Sequence, residues 1–294
     1  MKLKHGQAVW MMIAVTALWS MAGVVTRQLE FARSFEVTFW RSFFTMLSLL
    51  VILPVWQGRH VFKQIPWRSR YFWLSGVCWC IMFTAFMVAL TLTAVANVLI
   101  TMALGPLITA LFSRLFTGHR LPPRTWSAIA LAGSGIAWMF ASQIDVATPG
   151  FGLGVAVAVC VPLAGAVQWT LVQRSHTQGL HLDLVPSVLL GATLSSLFTL
   201  PWAFPFQATG TDVQWLAMLG LFQLAIPCAL SVLCAQVLKA AEVSLLALLE
   251  VIFGIALAWI GAHEEPSKQV LLGGSLVMLA LLLNELLAWR QRNV

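Results

Sequence analysis

The sequence predicts an all-α integral membrane protein, ten transmembrane helices arranged as two five-helix repeats of inverted topology. Three observations carry that reading. Of the 294 residues 60% are hydrophobic and only 9% are charged, against roughly 25% charged in soluble chains. Mean hydropathy is +0.88. The apolar residues gather into runs of about 20, the length that crosses a hydrocarbon core about 30 Å thick. A chain this poor in charge cannot cover a water-facing surface, so lipid is its solvent.

Ten runs qualify as spans, at roughly 7–26, 36–56, 70–91, 94–117, 126–142, 150–172, 184–204, 213–237, 242–261 and 268–289. The first follows Lys2 and Lys4 like a signal peptide, but it is long, lacks a small-residue cleavage site and precedes nine more spans. Spans 3 and 4 are separated only by Thr91–Ala94. One unbroken helix there would run about 70 Å at 1.5 Å per residue, so the chain must turn. With the N-terminus cytoplasmic, 13 of the 17 Lys and Arg fall on the cytoplasmic side, leaving Arg27, Arg33 and Lys268 outside and Arg41 within span 2. The positive-inside rule therefore puts both termini in the cytoplasm. The net charge of +7 is accounted for by this asymmetry and by anionic headgroups, without a nucleic-acid partner. The five cysteines lie in apolar runs and read as small core hydrophobes. The six histidines lie in the tail or loops, away from any buried metal cage. No cofactor is implied.

An internal repeat is visible at an offset of 145, where AVANVLITMALGP (94–106) aligns without gaps on KAAEVSLLALLEV (239–251). Each segment follows a short turn and ends in a short polar loop. Five helices per half is an odd number, so the second half, 146–294, enters the membrane from the side opposite to the first, 1–145. Transporters of this build hold substrate between the halves, near the midplane.

Leu18-Trp19-Ser20, Phe39-Trp40-Arg41, the run Ala240–Leu246 with Leu249-Glu250-Val251, and Glu264-Glu265 give the chain its likeness to a known family. It resembles the EamA-type branch of the drug/metabolite transporter superfamily. It departs from that pattern at Val251, where proline is frequent, and at His119-Arg120, where a glutamate is common. The resemblance implies a bacterial inner-membrane exporter of metabolites, amino acids or drugs.

Ionisable residues inside a bilayer are costly and mark function by default. Glu250 lies eight residues into span 9, about 12 Å deep, on a face with Ala247, Gly254, Ala258 and Gly261. It reads either as a proton-coupling or cation-binding carboxylate or as an interhelical hydrogen-bonding group. Arg41 could clamp an anionic substrate group, or pair with Glu36, Glu30 or Glu264 in an outer gate. Asn97, Thr101 and Gly105 form a stripe on span 4; Gln168 and Trp169 lie in span 6, and Gln223 one turn before Pro227 in span 8. Each amide serves either a substrate path or helix packing. Pro106, Pro162 and Pro227 favour kinks. Among 14 tryptophans, several suit an interfacial belt, while Trp19, Trp79, Trp138, Trp169 and Trp259 lie deeper. Trp79, Phe83, Phe86 and Leu90 share a face that is either an aromatic pocket or packing bulk.

These features point to a secondary transporter working by alternating access on a small-molecule substrate, with protons as a candidate coupling ion and a homodimer left open. The alternatives are organic-cation efflux and, outside transport, an intramembrane enzyme or a receptor or scaffold. No H-E-x-x-H, G-x-S-x-G, P-loop or intramembrane carboxylate pair is present. The cavity is expected to involve spans 1, 3, 4, 6, 8 and 9, with spans 5 and 10 peripheral.

Overall fold

The computed structural model describes residues 3–25, 28–29, 31, 34–93, 95–118, 121–141, 151–180, 182–262 and 267–292. Most of these are helical, joined by short turns and loops, with no strand among the described residues. Without water, every backbone N–H and C=O must be satisfied internally, and helices achieve this within one segment. Six segments are long and apolar enough to cross a membrane: Phe35–Gln57, Arg70–Leu92, Asn97–Phe116, Phe151–Thr177, Gly210–Ala235 and Ala240–Leu257.

In order, the elements are α1 (His5–Trp19), α2 (Met21–Val25), α3 (Ser34–Gln57), the short α4 (Val61–Gln64), α5 (Arg70–Leu92), α6 (Val95–Met102), α7 (Gly105–Thr117) and α8 (Pro123–Phe140). There follow α9 (Phe151–Thr177), α10 (Pro186–Ala203), α11 (Gly210–Met218), a π-helical segment (Leu219–Ala225), α12 (Ile226–Ala235), α13 (Ala240–Ala247), α14 (Leu249–Ala262) and α15 (Lys268–Arg292). The expected spans are all occupied by helix, but four of them are interrupted rather than continuous. Span 1 breaks at Ser20, span 4 at Ala103–Leu104, span 8 at the π-segment and span 9 at Leu248. Two prolines explain part of this. Pro106 sits in the first turn of α7 and Pro227 in the first turn of α12, where the missing N–H costs nothing. Pro162, by contrast, lies within the unbroken α9. Thr93 is extended, so spans 3 and 4 do turn. Gly118, at φ 67°, closes α7 in the left-handed conformation.

The bundle has two ends, each sorted by contacts remote in sequence. At one end His5 meets Glu242, Tyr71 donates to Gln178, Arg124 donates to the Leu287 carbonyl, and the Ala240 N–H donates to Gln173. At the other, Glu36 accepts from the backbone of 207–208, and Gly154 lies against Thr93. The main packing partners are α5 with α9 and α10, α3 with α10 and the π-segment, and α1 with α12 and α14. Between these pairs α7 packs against α9 and α13, while α8 packs chiefly on α15. The α8–α15 pair stands apart from the central cavity, as expected for spans 5 and 10.

Candidate functional site

A cavity of about 160 Å³ lies inside the bundle, walled by α1, α3, α5, α6, α7, α9, the π-segment, α12, α13 and α14. Six of the residues singled out in the sequence meet there: Trp19, Arg41, Trp79, Trp169, Gln223 and Glu250. Most of the remaining wall is apolar, including Phe83, Phe86 and Met102. Trp79 packs edge-on against Trp169 with centroids 5.8 Å apart and lies 5.6 Å from Phe83. Three of the four residues on that α5 face therefore form a pocket wall; Leu90 does not reach it. Trp138 and Trp259, also expected deep, are about half exposed at the outer surface of the bundle.

Arg41 is 4% exposed, and its Nη2 donates to Gln223 Oε1 at 2.6 Å. None of the carboxylates expected to pair with it does so among the described residues. Glu36 is turned away, accepting the N–H groups of Gln207 and Ala208 at 2.8–3.1 Å and, at 3.4 Å, the indole N–H of Trp40. Glu30 and Glu264 lie outside the described residues. Glu250 occupies the first turn of α14 and lines the same cavity as Arg41. No side chain among the described residues hydrogen-bonds its carboxyl. The break at Leu248 divides the small-residue face expected around it. Ala247 and Glu250 line the cavity, Gly254 has no neighbour where a Cβ would stand, and the side chains of Ala258 and Gly261 are outside the described ones.

Asn97 and Gln168 are buried but do not line the cavity. Asn97 Nδ2 donates to Thr93 Oγ1 at 2.8 Å, tying the first turn of α6 to the preceding corner. Gln168 Oε1 accepts from Ser75 at 2.7 Å, and Ser75 Oγ is also 2.6 Å from Ser187 Oγ, so the amide joins α9 to α5 and α10. For these two the packing alternative describes the geometry. Ser244, Cys228 and Val251 also line the cavity; the sequence had marked Ser244 and Val251 only as parts of the family-like run and Cys228 only as a core hydrophobe, none of them as a site residue. Their only signal is position, since Val251 follows Glu250 and Ser244 lies two turns before it.

The site thus offers one guanidinium, one carboxyl and a mostly apolar wall that includes Trp19, Trp79, Phe83, Phe86 and Trp169. The N-termini of α7 and α14 also border it through Gly105 and Glu250. The arrangement can recognise charge of both signs on one small molecule.

Residues 6–141 match the model of the EamA-like transporter family, a family of the drug/metabolite transporter superfamily. A solved crystal structure superposes with a TM-score of 0.81 at 18% identity, covering 97% of this chain and 99% of that one. At that identity the likeness speaks for the fold. No curated protein matches the chain significantly.

Proposed function

We propose that this multi-pass membrane protein, whose residues 6–141 belong to the EamA-like transporter family, is a secondary transporter of small zwitterionic metabolites such as amino acids. In this reading two inverted halves, 1–145 and 146–294, rock about the central cavity. Two observations support the repeat. Adding 145 to the limits of α6, Val95–Met102, gives those of α13, Ala240–Ala247, so the two broken spans break at equivalent places. Replacing each span by the one five places on also converts the packing pattern into itself. The α5–α9 pair becomes α12–α1, α5–α10 becomes the π-segment with α3, and α3–α10, α7–α13 and α8–α15 map onto themselves.

The observation that carries the substrate class is Arg41 and Glu250 on one aromatic-walled cavity. Arg41 suits a carboxylate, Glu250 an ammonium, and the tryptophans and phenylalanines an apolar side chain. A volume of about 160 Å³ is small beside the roughly 300–1,000 Å³ of drug-sized sites. A purely cationic drug would meet Arg41 as a repulsion. Inner-membrane location, cytoplasmic termini and outward transport complete the proposal.

The test is counterflow and gradient-driven uptake of a panel of labelled amino acids, their amides and their decarboxylated amines in proteoliposomes. Uptake of intact amino acids in preference to both derivatives supports the reading. Equal transport of the amines, or of none of the panel, refutes it.

A further inference from the structure

We propose that Gln223 is a positioning residue that aims Arg41 at the substrate while leaving its charge unneutralised; this rests on the cavity being the substrate site. The amide is placed by an unusual piece of backbone. Leu219–Ala225 is π-helical, its hydrogen bonds spanning one residue more than those of an α-helix, a geometry frequent at functional sites. Gly220 within it lies flush against α3. A Cβ there would come 2.6 Å from Phe44 Cβ, 2.9 Å from Thr45 N and 3.0 Å from Arg41 O. Thr45 Oγ1 bridges the two backbones, donating towards Arg41 O at 2.7 Å and Gly220 O at 3.1 Å.

Gln223, three residues on, reaches Arg41 with its oxygen. Its Nε2 donates to the Trp19 carbonyl at 3.4 Å, beside the break in span 1. The orientation of the amide follows from chemistry, because Arg41 can only donate and a carbonyl can only accept. Three spans are joined at one side chain on the cavity wall.

The residue type matters as much as the contact. A glutamate here would hold the guanidinium at least as firmly, but as an ion pair, and the substrate carboxylate would then compete with a fixed anion. A neutral acceptor fixes one Nη and leaves the positive charge and the other N–H donors for the ligand. Gln223 therefore separates aiming from neutralising. A residue that merely ties helices together would not make that distinction.

The experiment compares Gln223→Leu and Gln223→Glu with the wild type for amino-acid transport, melting temperature and peptide-resolved phenylglyoxal labelling of Arg41. Gln223→Leu should raise KM about tenfold or more, the scale of one charge-assisted hydrogen bond, with maximal rate much less affected. Gln223→Glu should melt at or above the wild-type temperature, yet raise KM at least as far. Labelling should be slowest in Gln223→Glu and fastest in Gln223→Leu. Transport in Gln223→Glu equal to wild type would overturn the proposal. If the wild type moves no amino acid, the functional reading falls and labelling decides the positioning role separately: that same order sustains it, and an unchanged Arg41 rate in both variants ends it.

Discussion

Glu250 and Arg41 face one cavity without touching, and that separation is what makes each testable alone. A carboxyl at this depth is costly to keep charged without water, a cation or a partner. If it couples transport to protons, Glu250→Gln abolishes accumulation driven by a pH gradient and leaves exchange and folding largely intact, because glutamine copies the neutral acid but cannot release a proton. If it binds the substrate ammonium, the same change raises KM in every mode, exchange included. If it only supports packing, glutamine is tolerated in all assays and alanine lowers the melting temperature. Unchanged gradient-driven uptake in the glutamine variant removes the coupling role. A second carboxyl, Asp183, lies outside the spans, before α10. Burial pushes its pKa up, partly offset by the Val185 N–H at 2.9 Å and the Gln57 side chain. A folded-state pKa above the unfolded value means that its ionised form penalises folding, and stability falls as pH rises through the folded pKa. Asp183→Asn should therefore raise the melting temperature at neutral pH, a gain that shrinks on acidification. At this scale the charges were legible because any charge inside an apolar run stands out. The roles of Asn97, Gln168 and Gln223 were not, because helix rotation and backbone breaks decide which neighbour an amide meets. Apolar lining such as Phe83 and Met102 carries no mark that separates a cavity wall from lipid contact.

The elements that matter most are the interrupted ones. Spans 4 and 9 each expose a helix N-terminus at the cavity, and the π-segment interrupts span 8 just before Pro227. The prolines at 106 and 227 made two of these breaks legible. The break at Leu248 was not, since Val251 replaces the proline that would have announced it; the internal repeat at offset 145 was the only hint. Small residues govern how closely elements pack, and they do so site by site. On α15, a Cβ at Gly273 would collide with Met139 Cγ and the Gly135 carbonyl of α8, whereas a Cβ at Gly133 on α8 has nothing within 4 Å. Gly273→Ala should therefore destabilise by about 1–3 kcal/mol, the usual cost of overpacking. Gly133→Ala should stabilise by about 0.5–1 kcal/mol through the lower entropy of the unfolded chain. Melting curves in detergent would separate the two. Equal effects would mean that α8 and α15 are not held at this distance.

Over the whole molecule, composition and run length led to a helical membrane protein, and the structure has six segments long and apolar enough to cross a membrane. Sidedness, read from the basic residues, and inversion, read from an odd helix count per half, belong to the proposal. What the sequence could not reveal was which end of the bundle is shut. The end bearing His5 is closed by contacts across the proposed halves. His5 Nε2 lies 2.7 Å from Glu242 Oε1, Tyr71 donates to Gln178 Oε1 at 3.0 Å, and α13 packs against α1 and α7. Glu242 also accepts the Lys239 N–H at 3.3 Å, so it holds the start of α13 while it holds α1. Alternating access requires this end to open, and the His5–Glu242 contact must then break. Truncating His5 leaves the Glu242 cap on α13 in place and removes the His5 link between α13 and α1. In a cysteine-light background carrying Ser244→Cys on the cavity wall, an impermeant maleimide should label slowly from the His5 side. Adding His5→Ala should speed labelling from that side several-fold and slow it from the opposite one, because rocking opens one end as it closes the other. Faster labelling from both sides would indicate general loosening, and no change would show that the contact does not hold the closed state. Vesicles of known orientation, checked with tags at both termini, would also establish whether the closed end is the cytoplasmic one, as the positive-inside rule predicts from the 13 basic residues on that side.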